Sequence, residues 1–205
     1  MTEDILEQQL PGCRILEFTR DSFLNSALVD ASTGETVYTI HTQIGTVSGM
    51  RTSLQINDSE IVSITKGAIL QPDNIAFKGR EPMKIKDWIR ERTFSDFNVA
   101  QTNDSVIRYM WANAPNSPRS GTISLCAQHI PDHPIAWFYA SVASDPPRPA
   151  KVIIHPDAFI MQDAVIASLL ADEYVDRSAA RVHFGGGRPG AAPLVAAMGH
   201  NAYLS

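Results

Sequence analysis

The chain has 205 residues, and its shares of 44% hydrophobic and 19% charged residues are typical of a globular protein and exclude a largely disordered one. A net charge of −5 argues against a general nucleic-acid-binding protein, because such proteins need a broad basic surface to neutralise phosphates. The length fits one domain with tails. We take residues 1–13 as an N-terminal extension, 14–176 as the domain and 177–205 as a Gly/Ala-rich tail.

The N-terminal residues and the cysteines indicate the compartment. The first residues, MTEDILEQQLPGC, are acidic where a secretory signal would be basic, and no long apolar stretch follows them. Residues 1–10 predict a short helical turn that Pro11 and Gly12 end. Cys13 and Cys126 match no metal or redox spacing, which predicts two free thiols. We therefore expect an intracellular protein without a transmembrane segment, either cytoplasmic or peripherally associated with a membrane.

Short β-branched segments separated by polar turns make up the first half of the chain. DASTG predicts a turn, in which Asp30 and Ser32 supply local side-chain hydrogen bonds and Gly34 supplies a permissive backbone. The pattern predicts successive antiparallel hairpins. The strand candidates are residues 14–18, 26–31, 35–44, 52–56 and 60–65.

The second half continues the same pattern, with many Val, Ile, Thr, Phe, Tyr and Trp residues and with polar turns at QTNDS and NAPNSPRSG. GRE at residues 79–81 predicts the turn that joins the first two segments. In total, roughly ten segments occur at the spacing of a β-sandwich or barrel. The strand candidates here are residues 74–79, 82–88, 106–112, 122–129, 135–142 and 151–155.

One helix is predicted near the C-terminus, within HPDAFIMQDAVIASLLADEY, at about residues 157–174. Pro156 and Asp157 suit its first positions, because proline lacks only an amide hydrogen that would be unpaired there and aspartate favours the positive end of the helix dipole. Its apolar residues cover most of the circumference, and the run is too short to span a bilayer and contains Asp163. We expect a helix surrounded by protein, inside a closed antiparallel barrel.

The order of these segments resembles a known family. The stretches that carry the resemblance are NSALVDASTGETVYTI, FKGREPMKIKDWI, RTF, VIRYMWA, LCAQH and KVIIHPDAF with the apolar helix, across about residues 24–176. They resemble a fungal domain of unknown function that is placed among the tubby C-terminal-like and LURP-one-related proteins. The resemblance implies a mainly β fold, a closed antiparallel barrel of about twelve strands around a central C-terminal hydrophobic helix.

The same resemblance implies a function only by analogy, since fold does not fix function. Tubby proteins and phospholipid scramblases, which share the wider fold, act at membranes. Tubby itself binds phosphoinositide head groups through basic residues, and these have no residue-by-residue match in this sequence.

The densest charge lies in KGREPMKIKDWIRER. Strand spacing places Lys84 and Lys86 on one face, and the turn at residues 79–81 is expected to bring Lys78 and Arg80 near them. Converging cations can hold the phosphate oxygens of lipid head groups or nucleotides. The alternative is a solvated hairpin with interleaved charge pairs. The predicted anion-binding residues are Lys78, Arg80, Lys84, Lys86, Arg90 and Arg92.

The sequence contains no decisive catalytic or metal-binding motif. His129 and His133 are four residues apart, but the prolines of HIPDHP disfavour the helix that would make them a metal pair, so we expect loop histidines and neither a metal nor another cofactor. GGGRPG at residues 185–190 follows a helix rather than a strand and predicts a flexible linker rather than a dinucleotide site. No G-x-S-x-G elbow is present, and the catalytic residues of any enzyme stay unknown.

Three kinds of function fit these features. The first is a non-enzymatic intracellular module that binds anionic phospholipid head groups, or another small ligand, through the basic hairpin. The second is an enzyme of specialised metabolism with a pocket at the mouth of the barrel. The third is a protein-interaction module that assembles through Trp88, Trp111 and Trp137 or through the C-terminal tail, and a homo-oligomer is compatible with the sequence.

Overall fold

The computed structural model describes residues 11–20, 22–45, 49–67, 72–96, 106–114 and 122–183, with side chains up to Tyr174. The predicted N-terminal turn at residues 1–10 and the predicted linker at 185–190 lie outside these ranges. The strands are β1 (Arg14–Phe18), β2 (Ser26–Asp30), β3 (Thr36–Ile44), β4 (Met50–Ile56), β5 (Ser59–Thr65), β6 (Asn74–Phe77), β7 (Met83–Lys84), β8 (Thr93–Ser95), β9 (Arg108–Asn113), β10 (Ile123–Ala127), β11 (Ile130–Tyr139) and β12 (Lys151–Ile154).

All strands of the described residues form one antiparallel sheet, in the order β7-β6-β5-β4-β3-β2-β1-β12-β11-β10-β9-β8. Neighbours in this sheet are also neighbours in the chain, except that β1 pairs with β12, where Leu16 lies opposite Val152. Strands β7 and β8 form the two edges, although only a short helix, α1 (Ile85–Trp88), and a turn separate them in the chain. The predicted mainly β, antiparallel architecture is confirmed.

The region around α1 differs from its prediction. Residues 82–88 were expected to form one strand, but only Met83–Lys84 is extended and Ile85–Trp88 is helical. The helical turn buries Ile85 and Trp88 together, which their spacing of three residues allows on a helix. Strand β8 has no counterpart in the prediction, because three residues are too few to show an alternating pattern.

Strand β11 begins at Ile130, well before the predicted residue 135, and therefore includes His133. That histidine was expected in a loop, so the prediction is wrong there. The register of β11 against β10 shifts on both sides of Cys126, which is opposite Pro134. A bulge of this kind leaves a backbone position without a ladder hydrogen bond, and proline, which has no amide hydrogen, is tolerated at it.

The C-terminal helix starts as a 3₁₀-helix, Pro156–Met161, and continues as the α-helix α2, Gln162–His183. Proline at the first turn is confirmed, and His155 caps it by accepting a hydrogen bond from the Asp157 amide at 3.3 Å. The helix continues past the predicted end near residue 174, and the tail boundary at 177 stays a prediction. The acidic pair at 172 and 173 resembled a solvated helix end, but both side chains are buried.

Between Ala164 and Tyr174, helix α2 is covered on all of its sides. Every side chain from Ala164 to Tyr174 is buried, which spans about three turns and therefore the whole circumference. Tyr38 of β3 hydrogen-bonds to Asp163, directly before this segment, and Trp111 of β9 hydrogen-bonds to Ser168 within it, from strands far apart in the sheet. The prediction of a helix surrounded by protein is confirmed.

The register gives the sheet two rims. At the upper rim Arg14 lies opposite Ile154, and from there the chain continues into the 3₁₀-helix. Helix α2 then runs toward the lower rim, where Leu170 and Met50 line a common cavity. The upper rim also contains Asp30, Ile56, Ser59, Phe77, Ser95, Arg108 and Ala127. The lower rim contains Ile44, Thr65, Asn74, Lys84, Asn113, Ile123 and Tyr139.

Candidate functional site

The structure divides the predicted anion-binding residues between the two rims. Lys78 and Arg80 flank the turn between β6 and β7, where the Arg80 amide donates to the Phe77 carbonyl at 2.9 Å on the upper rim. Lys84 lies opposite Asn74 on the lower rim. Asn74 and Lys78 are four residues apart, so at the rise of a β-strand Lys84 is about 13 Å from the turn. The turn does not bring Lys78 and Lys84 together.

Lys86 and Arg90 belong neither to a strand nor to the upper rim. Lys86 is in α1, so the expectation that it shares a strand face with Lys84 is wrong. Arg90 follows α1, and its Nε lies 4.0 Å from a carboxylate oxygen of Glu91, with both side chains largely in solvent. Exposed pairs of this kind contribute little to stability. Lys84, Lys86 and Arg90 are thus a second, exposed group of cations away from the upper rim.

Arg92 points into the fold. Its Nε lies 3.3 Å from Oδ2 of Asp172 on α2, and that carboxylate is buried. A buried carboxylate needs a compensating charge, because taking it out of water is costly. Arg92 therefore connects the turn before β8 to the central helix, and it is engaged in the fold rather than presented to a ligand.

Trp88 packs against aromatic rings from strands near both ends of the strand order. Its ring packs against Phe77 of β6 and Phe94 of β8, with centroid distances of 5.0 and 5.5 Å. Its Nε1 donates a hydrogen bond to the Ser95 carbonyl at 3.1 Å. Phe77 and Phe94 are therefore close in space although they lie near opposite ends of the strand order.

The register places Arg108 on the same rim as the β6–β7 turn. Arg108 is exposed and pairs with Ser95, the residue after Phe94, whereas Lys78 follows Phe77 directly. Lys78 Nζ donates to Ser59 Oγ, a neutral partner, at 2.9 Å. We call Lys78, Arg80 and Arg108 the rim cations. Acidic residues are exposed on the same rim, Asp58 and Glu81 near the β6–β7 turn and Glu35, Asp132 and Asp157 farther along it.

Polar groups at the start of α2 form a hydrogen-bonded network. Tyr38 Oη donates to Asp163 Oδ1 at 2.6 Å and accepts from Gln162 Nε2 at 2.7 Å. Arg14 Nη1 donates to Gln162 Oε1 at 3.3 Å. Burial and the nearby Asp163 charge raise the pKa of Tyr38 far above its ordinary value of 10.0. Tyr38 stays protonated, so it positions the helix and does not act as a base.

Asp30 extends this network to the upper rim. It accepts hydrogen bonds from Arg14 Nε at 2.8 Å, from the Ser32 amide at 2.9 Å and from Ser32 Oγ at 2.6 Å. The Ser32 hydroxyl and the Arg14 guanidinium lower the pKa of Asp30 from 3.8 to about 2, although burial opposes the shift. Asp30 is therefore ionised at neutral pH and holds the predicted turn in place.

The space around α2 is filled. Trp111 Nε1 donates to Ser168 Oγ at 2.9 Å, and Ser168 Oγ donates to the Val165 carbonyl at 2.8 Å, so the polar atoms facing each other there are paired. Toward the lower rim a cavity of about 20 Å³ lies beside Leu170 and Glu173. That volume holds about one water molecule. Small-molecule sites are usually several hundred Å³.

The remaining chemical candidates offer no reactive group. Among the described residues, no cluster of three or more His, Cys, Asp or Glu side chains could hold a metal ion. Cys13 and Cys126 are free thiols, as predicted, and burial raises the pKa of both, so neither is a ready nucleophile. His155 Nδ1 lies 3.1 Å from an Asp157 carboxylate oxygen and caps the helix start.

The three tryptophans differ in exposure. Trp88 and Trp111 are buried in the core, whereas Trp137 is partly exposed on β11. Two of the three residues proposed for assembly therefore have no surface to offer a partner. No helix in the described part of the chain is long and apolar enough to cross a membrane.

Comparison with known proteins places the chain in a family. A profile of a family of unknown function, DUF6593, matches residues 21–178, more than three quarters of the 205 residues. The chain belongs to the DUF6593 family. Searches of curated proteins and of solved structures each found no significant match. The DUF6593 match extends from before β2 into α2 and includes Lys78, Arg80 and Arg108.

Sequence reasoning missed Arg108 as a candidate residue of the upper rim of this DUF6593 chain. It lies outside the dense run of charge, and only the pairing of β8 with β9 brings it to the upper rim. Its position directly before the apolar run YMW was the available signal, since a charged residue at a strand start usually lies at a rim.

Proposed function

We propose that this DUF6593 chain is a non-enzymatic module that binds anionic phospholipid head groups at a membrane surface, with the rim cations as the contact. The observation that carries the proposal is that two separate segments bring Lys78, Arg80 and Arg108 to one rim. The protein as a whole is acidic, with a net charge of −5, so such a local group is the part that an anionic surface attracts.

The rim cations suit phosphate chemically. Guanidinium groups form bidentate, charge-assisted hydrogen bonds to phosphate oxygens, and lysine contributes a point charge. An anionic leaflet attracts each such cation by about 1 kcal/mol within a Debye length of the surface. Three such cations contribute about 3 kcal/mol of salt-sensitive attraction, which would associate the protein peripherally with the membrane.

The proposal includes closure of the sheet into a tubby-like barrel. Support comes from Trp88, whose ring packs on Phe77 near one edge and on Phe94 at the other. A closed barrel has no free edge and holds its strand ends at fixed spacings. Closure would therefore fix the distance between the β6–β7 turn and Arg108, as a preformed head-group site requires.

The filled interior supports a surface site over an enzyme pocket. Helix α2 occupies the space that a substrate would need, and the cavity beside it is about 20 Å³. Tyr38 hydrogen-bonds to Asp163 and Gln162, and Ser168 to Trp111 and the Val165 carbonyl. The exposed cations on the outer surface are therefore the better candidates for binding a ligand.

The test compares two charge reversals of equal size. Lys78→Glu with Arg80→Glu changes the upper rim, and Lys84→Glu with Lys86→Glu changes the lower group, so both variants carry the same net charge. We expect phosphatidylserine- or phosphoinositide-containing vesicles to sediment the wild type and the Lys84/Lys86 variant. The Lys78/Arg80 variant should bind at least about 30-fold more weakly, as the loss of two cations at about 1 kcal/mol each predicts.

Three results would count against this assignment. If the wild type does not bind anionic vesicles at low salt, the membrane function is wrong. Equal losses in both variants would show an effect of bulk charge only. A loss confined to the Lys84/Lys86 variant would move the site to the lower rim.

A further inference from the structure

The upper rim also exposes most of the large apolar side chains on the described surface. Seven such side chains are exposed in that part of the chain, and five of them lie at or just beyond upper-rim strand ends. The five are Val106, Ile107, Ile130, Phe159 and Ile160. The other two, Ile44 and Val142, are near the lower rim. The apolar exposure is therefore concentrated on the rim that carries the rim cations.

The fold holds Phe159 and Ile160 outward. Both belong to the 3₁₀-helix Pro156–Met161, and they are 44% and 71% exposed. Ala158 and Met161 of the same helix are only 0% and 1% exposed. A 3₁₀-helix has three residues per turn, so residues 158 and 161 face the core together and the two between them must face away. Their exposure follows from the geometry of a well-anchored turn.

We call the exposed side chains of Phe159, Ile160 and Ile130 the apolar tips. Neighbouring strand ends add to them. Ile130 pairs with Ala127 at the start of β11, and the Gln128 amide donates to the Arg108 carbonyl at 2.8 Å, next to Ile107. These residues belong to strands β11, β10 and β9, which follow β12 in the sheet. At the usual strand spacing the apolar tips extend over about 15 Å of rim. They end at Arg108, where the rim cations begin.

We propose that Phe159, Ile160 and Ile130 insert among the acyl chains of a lipid bilayer while the rim cations contact its head groups. This inference rests on the proposed function, because the rim cations bind the anionic membrane surface before the apolar tips enter the bilayer. Acyl chains adapt to separate protruding side chains. A rigid protein partner would need a continuous complementary surface of about 800 Å² on each side.

Acidic side chains limit how deeply the apolar tips can insert into the bilayer. Asp157 and Asp132 are exposed beside Phe159 and Ile130, and Asp157 bonds to His155. Charged groups are costly inside the hydrocarbon layer and tolerable at the head-group level. Insertion therefore stops at the level of the glycerol backbone, with only the apolar side chains below it.

The experiment measures insertion and head-group binding separately. Phe159→Ser with Ile160→Ser removes the apolar tip, and Ile44→Ser with Val142→Ser is the matched control on the lower rim. We expect the first variant to bind phosphatidylcholine vesicles doped with phosphatidylserine at least tenfold more weakly, and the second to bind like the wild type. Thermal unfolding followed by circular dichroism checks that both variants are folded.

A second measurement reports the depth of the tip. In Phe159→Trp, the new indole should be quenched by bromine atoms on the lipid acyl chains and shifted to shorter emission wavelength on binding. Trp88 and Trp111 are buried and give a constant background, and the partly exposed Trp137 is changed to Phe in the same variant. Unquenched fluorescence with unchanged binding of the Phe159/Ile160 variant would overturn insertion and leave the head-group function intact. If wild-type protein binds no anionic vesicle, both proposals fail.

Discussion

The two ends of α2 are held in different ways. At the upper end, several hydrogen bonds link Arg14, Asp30, Tyr38, Gln162 and Asp163, and each group has more than one bond or lies near solvent. Toward the lower end, Arg92 compensates a buried carboxylate at a distance of 3.3 Å. We call these the upper and the lower anchor. Substituting one member of a hydrogen-bonded network leaves the others partly paired, so the loss in the free energy of unfolding is small. Removing the partner of a buried charge leaves that charge uncompensated, so the loss is large.

The largest effect is expected at the lower anchor. Arg92→Ala leaves the Asp172 carboxylate buried with a weaker compensating environment, and we expect a loss of about 3 kcal/mol in the free energy of unfolding. Urea denaturation measures this loss. The matched control is Arg90→Ala, two residues away and exposed, which should change stability by no more than about 0.5 kcal/mol. Equal effects of the two substitutions would show that Arg92 is not an anchor.

A smaller effect, dependent on pH, is expected at Asp30. Its pKa is lowered from 3.8 to about 2 in the folded protein, so the ionised form stabilises the fold by about 2 kcal/mol at neutral pH. Because the folded value is the lower one, this stabilisation is complete above pH 4 and is lost as the pH falls through 2. Asp30→Asn should therefore lower the unfolding free energy by about 2 kcal/mol at pH 7.

The pH profile is the stringent part of that test. The difference between wild type and Asp30→Asn should shrink between pH 4 and pH 2, the interval between the two pKa values. Glu35→Gln, in the exposed turn next to Asp30, is the control and should show no such convergence. A difference that stays constant to pH 2 would contradict the lowered pKa.

The smallest effect is expected for Tyr38→Phe. The substitution removes one hydroxyl, which donates to Asp163 and accepts from Gln162, and keeps the packing of the ring. Asp163 is only half-buried and Gln162 keeps its bond from Arg14, so we expect a loss of about 1 kcal/mol in thermal or urea unfolding. A loss as large as that of Arg92→Ala would remove the distinction between the two anchors.

Much of the local structure could be predicted from the sequence. Alternating β-branched segments predicted most strands, and DASTG predicted a turn that the Gly34 amide closes with a 2.8 Å hydrogen bond to the Asp30 carbonyl. Pro156 predicted the start of the helix, and the apolar circumference predicted its burial. These features depend on residues close together in the chain, where steric preference and hydrophobic periodicity act directly.

The candidate site was predicted only in part. The dense charge between Lys78 and Arg92 suggested one cluster. In the structure, Lys78 lies on the upper rim, Lys84 on the lower rim and Arg92 against the buried Asp172. Arg90 and Arg92 are two residues apart, and no local pattern distinguishes the solvated one from the one paired with Asp172. That difference depends on where a helix eighty residues later is placed.

The sequence by itself determined the segments of this protein, their order and the burial of its last helix. Only the tertiary structure decided that Arg92 pairs with Asp172, that Arg108 lies on the same rim as Lys78 and Arg80, and that Phe159 and Ile160 face outward on that rim. The physical reason is the register of the sheet. A shift of one residue in a strand moves every side chain to the opposite face, and the turns and the central helix fix that register together.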